Sequence, residues 1–166
     1  RENPDLAAVK MEVVRSVEPE KGYLEEVRRL CTENNIVLIF DECTSGFRET
    51  FGGVHKKYQV FPDLCMFGKA LGNGYAVTAV IGKKEIMEHA QNTFISSTFW
   101  TERIGPTAGL ATLKEMEKIK SWEIITNRGK AIKDNWKKLA STNNINIEIT
   151  GMDALATFSI KSDNWL

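Results

Sequence analysis

Residues 36–42 read Ile-Val-Leu-Ile-Phe-Asp-Glu, and this stretch decides the fold class. Five consecutive apolar residues end abruptly at Asp41, and a strand that is apolar on both sides is normally covered by helices on both faces of a parallel sheet. An apolar run at residues 7–14 and apolar residues at helical spacing over residues 24–31 come before it. The order strand, helix, strand therefore predicts a βαβ unit.

The rest of the chain extends this sheet and then changes in character. Strands are predicted at residues 63–67 and 77–82, and the roughly nine residues between them are too few for a parallel crossover. The fourth strand is therefore predicted to be antiparallel. Helices are predicted over residues 84–90, from residue 106 and over residues 121–141. The apolar stripe of the last helix predicts core packing, and a β-hairpin is predicted over residues 145–160. The fold class is α/β: part of a large domain over residues 1–120, with a mostly parallel sheet, and the start of a small α+β domain over residues 121–166.

The composition excludes several classes of protein. Of the 166 residues, 42% are hydrophobic, which is too many for a disordered chain. The 22 basic residues balance the 22 acidic ones and form no dense basic block, so no nucleic acid or anionic membrane partner is expected. No apolar run is long enough to span a bilayer. The three cysteines lack the close spacing of a zinc site, which favours a reducing, cytoplasmic location.

Two residues are candidates for chemistry. Asp41 lies at the carboxyl end of the most apolar strand, where open α/β sheets place their ligands. Lys69 follows Phe67-Gly68 at the end of the next strand, among apolar residues. A buried amine loses its charge more easily, and a neutral amine attacks an aldehyde. Such a pair suits pyridoxal phosphate, which needs a lysine for its carbonyl and an acid for its ring nitrogen.

Other interpretations of these residues remain open. Asp41 is also typical of a salt-bridged strand end, and Lys69 of a side chain that reaches out to solvent or binds phosphate. Apolar residues followed by Asp-Glu also describe the magnesium-binding strand of a Walker-type ATPase. That alternative requires a GxxxxGK[ST] loop, which the sequence lacks unless it lies before Arg1.

Two longer segments resemble a known family. Residues 36–48 read Ile-Val-Leu-Ile-Phe-Asp-Glu-Cys-Thr-Ser-Gly-Phe-Arg, and residues 62–74 read Pro-Asp-Leu-Cys-Met-Phe-Gly-Lys-Ala-Leu-Gly-Asn-Gly. Their order and spacing resemble the class III aminotransferases of pyridoxal phosphate fold type I, and within them the glutamate-1-semialdehyde 2,1-aminomutases. The resemblance runs over about residues 7–113. It implies amino-group transfer or an aminomutase rearrangement, with pyridoxal 5'-phosphate as the cofactor.

The resemblance assigns roles to five positions. It implies that Asp41 pairs with the ring nitrogen of the cofactor and that Lys69 forms a Schiff base with it. Cys43 stands where the family has an apolar residue against the ring, and Thr44 lies near the ring hydroxyl. Thr101 matches a threonine that binds the cofactor phosphate of a partner subunit; its other interpretation is an N-terminal cap of the following helix.

The resemblance also implies partners and a longer subunit. A small-molecule amino donor, a carbonyl acceptor and a homodimer with shared active sites are expected. The family's phosphate-binding turn and its ring-stacking aromatic residue cannot be assigned here, so we expect a fragment, which alone is catalytically incomplete. His55 and His89 match no functional position and are predicted to be solvated. No metal site is predicted.

Overall fold

The structure is a computed structural model that describes residues 5–99 and 101–161. Its strands and helices follow in the order β1 (Ala8–Met11), α1 (Tyr23–Glu33), β2 (Val37–Asp41), α2 (His55–Tyr58), β3 (Leu64–Phe67), β4 (Ala79–Gly82), α3 (Lys84–Met87), α4 (Ile104–Ile119), α5 (Ser121–Thr142), β5 (Ile147–Thr150) and β6 (Thr157–Ile160). Single 3₁₀ turns cover Lys69–Leu71, Glu88–Asn92 and Asp153–Leu155. Within these ranges no helix combines the length and hydrophobicity that crossing a membrane requires.

Strands β1 to β4 form one sheet in the order β1-β2-β3-β4. The β1–β2 and β2–β3 pairs are parallel and the β3–β4 pair is antiparallel, which confirms the prediction made from the short connection. Leu38 and Phe40 of β2 are fully buried, and Leu24 of α1 is buried with them. The apolar run that predicted the fold thus forms the centre of the core, and its carboxyl end carries Asp41 to the sheet edge.

The second part of the chain holds two long helices and a hairpin. Lys120 adopts a left-handed conformation, with φ of 50°, between α4 and α5. The predicted hairpin is present, with Ile147 opposite Ile160 and Ile149 opposite Phe158. The predicted core packing of α5 holds only in part, because Ile132 and Leu139 are 45% and 60% exposed. The reason is that α4, the hairpin and the 3₁₀ turn Asp153–Leu155 cover only part of that helix.

Asp63 joins three elements just before β3. Its Oδ2 accepts hydrogen bonds from the Leu38 backbone N–H and from Arg28 Nη1, both at 2.8 Å, and its Oδ1 lies 2.7 Å from Lys83 Nζ. Burial raises the pKa of Asp63, but Lys83, the Leu38 amide and Arg28 together outweigh burial and hold it below its usual value. The carboxylate therefore fixes α1 and the end of β4 against the sheet.

We expect Asp63→Asn to lower the free energy of unfolding of the full-length protein by about 2 kcal/mol at pH 7, since it loses two charged partners. Because the folded pKa is lowered, this contribution is complete above the ordinary Asp pKa and disappears as the pH falls below about 4. Urea unfolding at pH 7 and pH 3 measures both effects. Asp134→Asn is the control, because Asp134 is 74% exposed beside Lys137. Equal losses in the two variants would contradict the prediction.

Candidate active site

Asp41 is the last residue of β2 and is half-buried at the sheet edge. Both of its carboxylate oxygens have partners. The Cys43 backbone N–H donates to Oδ1 at 3.1 Å, and Lys10 Nζ lies 2.9 Å from Oδ2. The hydrogen bond from Lys10, together with its charge, lowers the pKa of Asp41. Asp41 is thus an oriented anion at the end of the buried strand.

Lys69 begins the 3₁₀ turn that follows β3 and Gly68. Its Nζ donates a hydrogen bond to Thr44 Oγ1 at 2.6 Å. The side chain is exposed, so the prediction that Lys69 is buried is wrong: at the sheet edge, no described residue encloses it. Its backbone is nevertheless unusual, with φ of 45° in the left-handed region that disfavours residues with a side chain. Backbone conformations of this kind are found preferentially at functional sites.

Cys43 and Thr44 connect the two candidate residues. A β-carbon at Gly68 would lie 3.4 Å from Cys43 Sγ, an ordinary van der Waals distance, so this thiol lies beside the backbone that follows β3. Burial, followed by the neighbouring Asp41, raises the pKa of Cys43 and keeps the thiol protonated. Asp41, Cys43, Thr44 and Lys69 therefore form one continuous edge across the ends of β2 and β3.

Thr101 is exposed and lies just before α4. The backbone N–H groups of Ile104 and Gly105 donate to the carboxylate of Glu102, so Glu102 rather than Thr101 caps this helix. Within the described residues Thr101 makes no hydrogen bond to Asp41 or Lys69. Phe94 and Phe99, in the same segment, are 97% and 77% exposed. Capping thus does not explain Thr101, which is exposed in the part of the chain that the structure describes.

Directly after Asp41, the side chain of Glu42 is fully buried and accepts four hydrogen bonds. Oε2 accepts from Ser45 Oγ at 3.1 Å and from the Val54 backbone N–H at 2.5 Å. Oε1 accepts from the His55 backbone N–H at 3.0 Å and contacts His55 Nδ1 at 2.6 Å. Because a carboxylate has no proton to offer, Nδ1 is the donor in that pair. The carboxylate thus closes residues 43–54 into a loop.

This contact corrects the prediction for His55, which is 9% exposed rather than solvated. A β-carbon at Gly53 would meet His55 Nδ1 at 2.3 Å, so Gly53 is what allows the ring to reach Glu42. Cys65 lies close enough for Glu42, His55 and Cys65 to form a group of possible metal ligands. Burial and the nearby Glu42 raise the pKa of Cys65 to about 12. Glu42 already has four donors, so Glu42 and His55 form a hydrogen-bonded pair beside a protonated Cys65 thiol.

A cleft of about 700 Å³ lies beside Lys69. Phe47, Tyr75, Met116 and Ile125 contribute to its lining, but Asp41, Cys43 and Thr44 do not. Lys69 therefore stands between two surfaces, the Asp41 edge on one side and this cleft on the other.

A family model described as aminotransferase class III matches residues 1–165. The chain belongs to the class III aminotransferases. It is 36% identical over 146 residues to a 3-aminobutyryl-CoA aminotransferase of Cloacimonas acidaminovorans, a match that covers 87% of this chain and 35% of the relative. It is also 36% identical over 162 residues to a glutamate-1-semialdehyde 2,1-aminomutase of Methanobrevibacter smithii, covering 93% and 38%. The chain thus spans little more than a third of the length of these relatives.

Solved structures agree on the fold. The FumI protein of Sphingopyxis sp. MTA144, solved in its PLP internal aldimine form, superposes with a TM-score of 0.92 at 21% identity, covering 98% of this chain and 41% of that one. An S-selective transaminase from Arthrobacter sp. gives a TM-score of 0.78 at 27% identity, covering 95% and 36%. These neighbours confirm the α/β fold of type I with its antiparallel fourth strand. Nothing in the comparisons favours the Walker-type ATPase.

Lys10 is a site residue that the sequence reasoning missed in this class III aminotransferase chain. The signal was a lysine within β1, which otherwise reads Ala-Val-Met around it. A charged residue among apolar strand positions calls for a partner. The partner was not evident, because it depends on how β1 aligns with β2.

Proposed function

We propose that this chain supplies one side of a pyridoxal phosphate site in an enzyme that transfers amino groups. The observation that carries the proposal is the placement of Asp41 and Lys69 at the ends of neighbouring parallel strands in a class III aminotransferase chain. An oriented carboxylate and an exposed amine are the groups that the ring nitrogen and the aldehyde of this cofactor require. When bound, the cofactor supplies an electron sink for the carbon that carries the amino group.

Asp41, Cys43, Thr44 and Lys69 would each have a different role toward the cofactor. Asp41 would hold the protonated ring nitrogen by charge pairing, and Lys69 would bind the aldehyde carbon and later carry the proton that moves during transfer. Cys43 would pack against the ring as an apolar, protonated thiol. Thr44 already holds the Lys69 amine at 2.6 Å, so it would orient that amine when the cofactor is absent.

The type of reaction within the family is a narrower proposal. Relatives of equal identity are an aminotransferase and aminomutases, so an exchange between two substrates and an internal rearrangement, the chemistry of an isomerase, both agree with this chain. Small-molecule amino donors and carbonyl acceptors are the proposed substrates. This chain is proposed to be incomplete as a catalyst on its own, since it spans little more than a third of the length of its relatives.

We further propose a homodimer in which Thr101 binds the cofactor phosphate of the other subunit. The exposed Phe94 and Phe99 support this, because large exposed aromatic side chains mark interaction surfaces. The total accessible surface is 12068 Å², whereas a folded chain of this mass exposes about 8,300 Å², so the chain exposes surface that the rest of a longer subunit or a partner subunit would cover. We also propose that residues 1–120 belong to a large domain and that a small domain begins at residue 121. The proposed location is cytoplasmic, in line with the free thiols at Cys31, Cys43 and Cys65.

The function is tested by trapping the cofactor on the full-length protein. Pyridoxal phosphate is added, the visible absorbance is recorded, and borohydride reduction followed by peptide mass mapping locates the pyridoxyl group. We expect the band to vanish on reduction and the label to lie on Lys69. No band, or a label spread over surface lysines such as Lys84, would contradict the proposal. Magnesium-dependent ATP binding in its place would support the Walker-type alternative.

Asp41→Asn is expected to lower kcat of the full-length protein by about 10²- to 10³-fold, because a neutral amide cannot stabilise a charged ring nitrogen. Binding of the cofactor at Lys69 is expected to persist, since the amine is untouched. Steady-state rates with an amine and a keto acid, together with the trapping experiment, separate these two effects. Asp134→Asn serves as the control with the same chemical change at an exposed site. A rate within twofold of the wild type would remove Asp41 from the proposed role.

A further inference from the structure

Lys10 and Asp41 lie on the same face of the sheet. In the parallel register of β1 and β2, Lys10 is opposite Ile39, and Asp41 is two residues further along β2. Side chains two residues apart on a strand point to the same face, so Lys10 is directed to the face that carries Asp41. Its Nζ lies 2.9 Å from Asp41 Oδ2. The pair is fixed by the strand alignment and is not a chance contact between mobile loops.

We propose that Lys10 is a positioning residue that shares the Asp41 carboxylate with the cofactor's ring nitrogen and thereby lowers the affinity of that nitrogen for a proton. The inference rests on the proposed function of Asp41. If Lys10 acts in this way, the cofactor ring is a weaker electron sink in this protein than it would be beside an aspartate with no second cation.

The reason is electrostatic. A carboxylate that already faces one cation stabilises a second cation less, because the two positive charges repel each other across it. Oδ1 of Asp41 is taken by the Cys43 backbone N–H, so both oxygens have donors before any cofactor binds. Three other ionisable groups lie around the pair. Glu12 is two residues after Lys10 in the chain and acts on the charge of Lys10, Cys43 is two residues after Asp41, and the charge of Lys69 acts on Cys43. Lys10 is the cation that contacts the carboxylate directly.

The test uses the full-length protein loaded with pyridoxal phosphate that carries ¹⁵N in the ring. The ¹⁵N chemical shift reports whether the ring nitrogen is protonated, and a pH titration gives the midpoint. We expect Lys10→Met to raise this midpoint by about one pH unit, the order expected when one partly exposed charge is removed beside the pair. Lys10→Gln is expected to give the same direction, and Lys10→Arg, which keeps the cation, a midpoint close to that of the wild type.

If the ring nitrogen titrates at a pH at which the protein is unfolded, a binding measurement replaces the titration. Lys10→Met is expected to bind pyridoxamine phosphate about fivefold more tightly than the wild type, with no change for the analogue whose ring nitrogen is replaced by carbon. Lys84→Met, at an 82% exposed lysine, controls for net charge and should change neither value.

The possible results distinguish a failure of the role proposed for Lys10 from a failure of the role proposed for Asp41. If Asp41→Asn strips the proton from the ring nitrogen but Lys10→Met changes neither the midpoint nor the relative affinity, the sharing by Lys10 is overturned and the role of Asp41 stands. If Asp41→Asn leaves the ring nitrogen protonated as before, the proposed function of Asp41 fails and the inference on Lys10 fails with it. A lower midpoint in Lys10→Met would also overturn the inference.

Discussion

Lys69→Ala is expected to abolish amino transfer by the full-length protein, with a loss of about 10³-fold or more in kcat. The reason is positional as well as chemical. Thr44 holds the Lys69 amine at the edge that ends in Asp41, whereas the amine of Lys10 contacts the Asp41 carboxylate itself. Removing Lys69 therefore removes both the covalent attachment of the cofactor and the group that moves the proton. Single-turnover rates and borohydride trapping measure the two losses separately.

Alanine is the informative substitution because it keeps the β-carbon. The left-handed backbone at position 69 is equally unfavourable for alanine, so the thermal midpoint is expected to change little. Lys84→Ala is the matched control, since Lys84 is 82% exposed and, among the described residues, its ion pair is with Glu88 in the turn that follows α3. Partial rescue of Lys69→Ala by an added primary amine would support the assignment. Full activity in Lys69→Ala would contradict it.

Glu42→Ala is expected to destabilise the full-length protein by about 3–5 kcal/mol, because it leaves four buried donors without an acceptor. The donors belong to Ser45, Val54 and His55, so the loss falls on the whole loop over residues 43–54. That loop carries Thr44, the partner of Lys69. We therefore expect looser cofactor binding as well as lower stability, measured by urea unfolding and by the dissociation constant for pyridoxamine phosphate.

Milder variants keep this prediction measurable if Glu42→Ala does not fold. Glu42→Gln retains one acceptor oxygen and should lose less, and His55→Ala removes one donor and should lose less still. The double variant Glu42→Ala with His55→Ala should lose less than the sum of its parts, because the two residues act on one another. Glu26→Ala, at a 54% exposed glutamate, is expected to change stability by no more than about 0.5 kcal/mol. Additive losses would show that the Glu42–His55 contact contributes little.

The sequence was a good guide wherever local pattern decides structure. The apolar run that ends at Asp41 predicted the central strand, and the short connection before residue 77 predicted the antiparallel β4. Both features follow from periodicity and chain length, which a single sequence contains. The edge formed by Asp41 and Lys69 was predictable for the same reason, since the carboxyl ends of parallel strands meet at one side of a sheet.

The errors arose where the relation between distant elements decides the outcome. Lys10 contacts Asp41 because of the register of β1 against β2, which a single sequence does not give. His55 contacts Glu42 because Gly53 has no side chain in the way. The exposure of Lys69 depends on what covers the sheet edge, which flanking apolar residues do not reveal. Ile132 and Leu139 follow the apolar spacing of α5, yet the elements packed on this helix leave them 45% and 60% exposed.

The left-handed backbone of Lys69 has an evolutionary consequence. Glycine would adopt φ of 45° without strain and asparagine with little, so selection for stability alone would favour either of them at this position. Lys120 shows that a lysine can adopt this conformation elsewhere in the chain, but at position 69 the amine lies on the proposed cofactor edge. A descendant that lost the need for the reaction would be free to exchange it for a residue better suited to the turn, and a change at position 69 would then mark the loss of catalysis in a lineage whose fold remained intact.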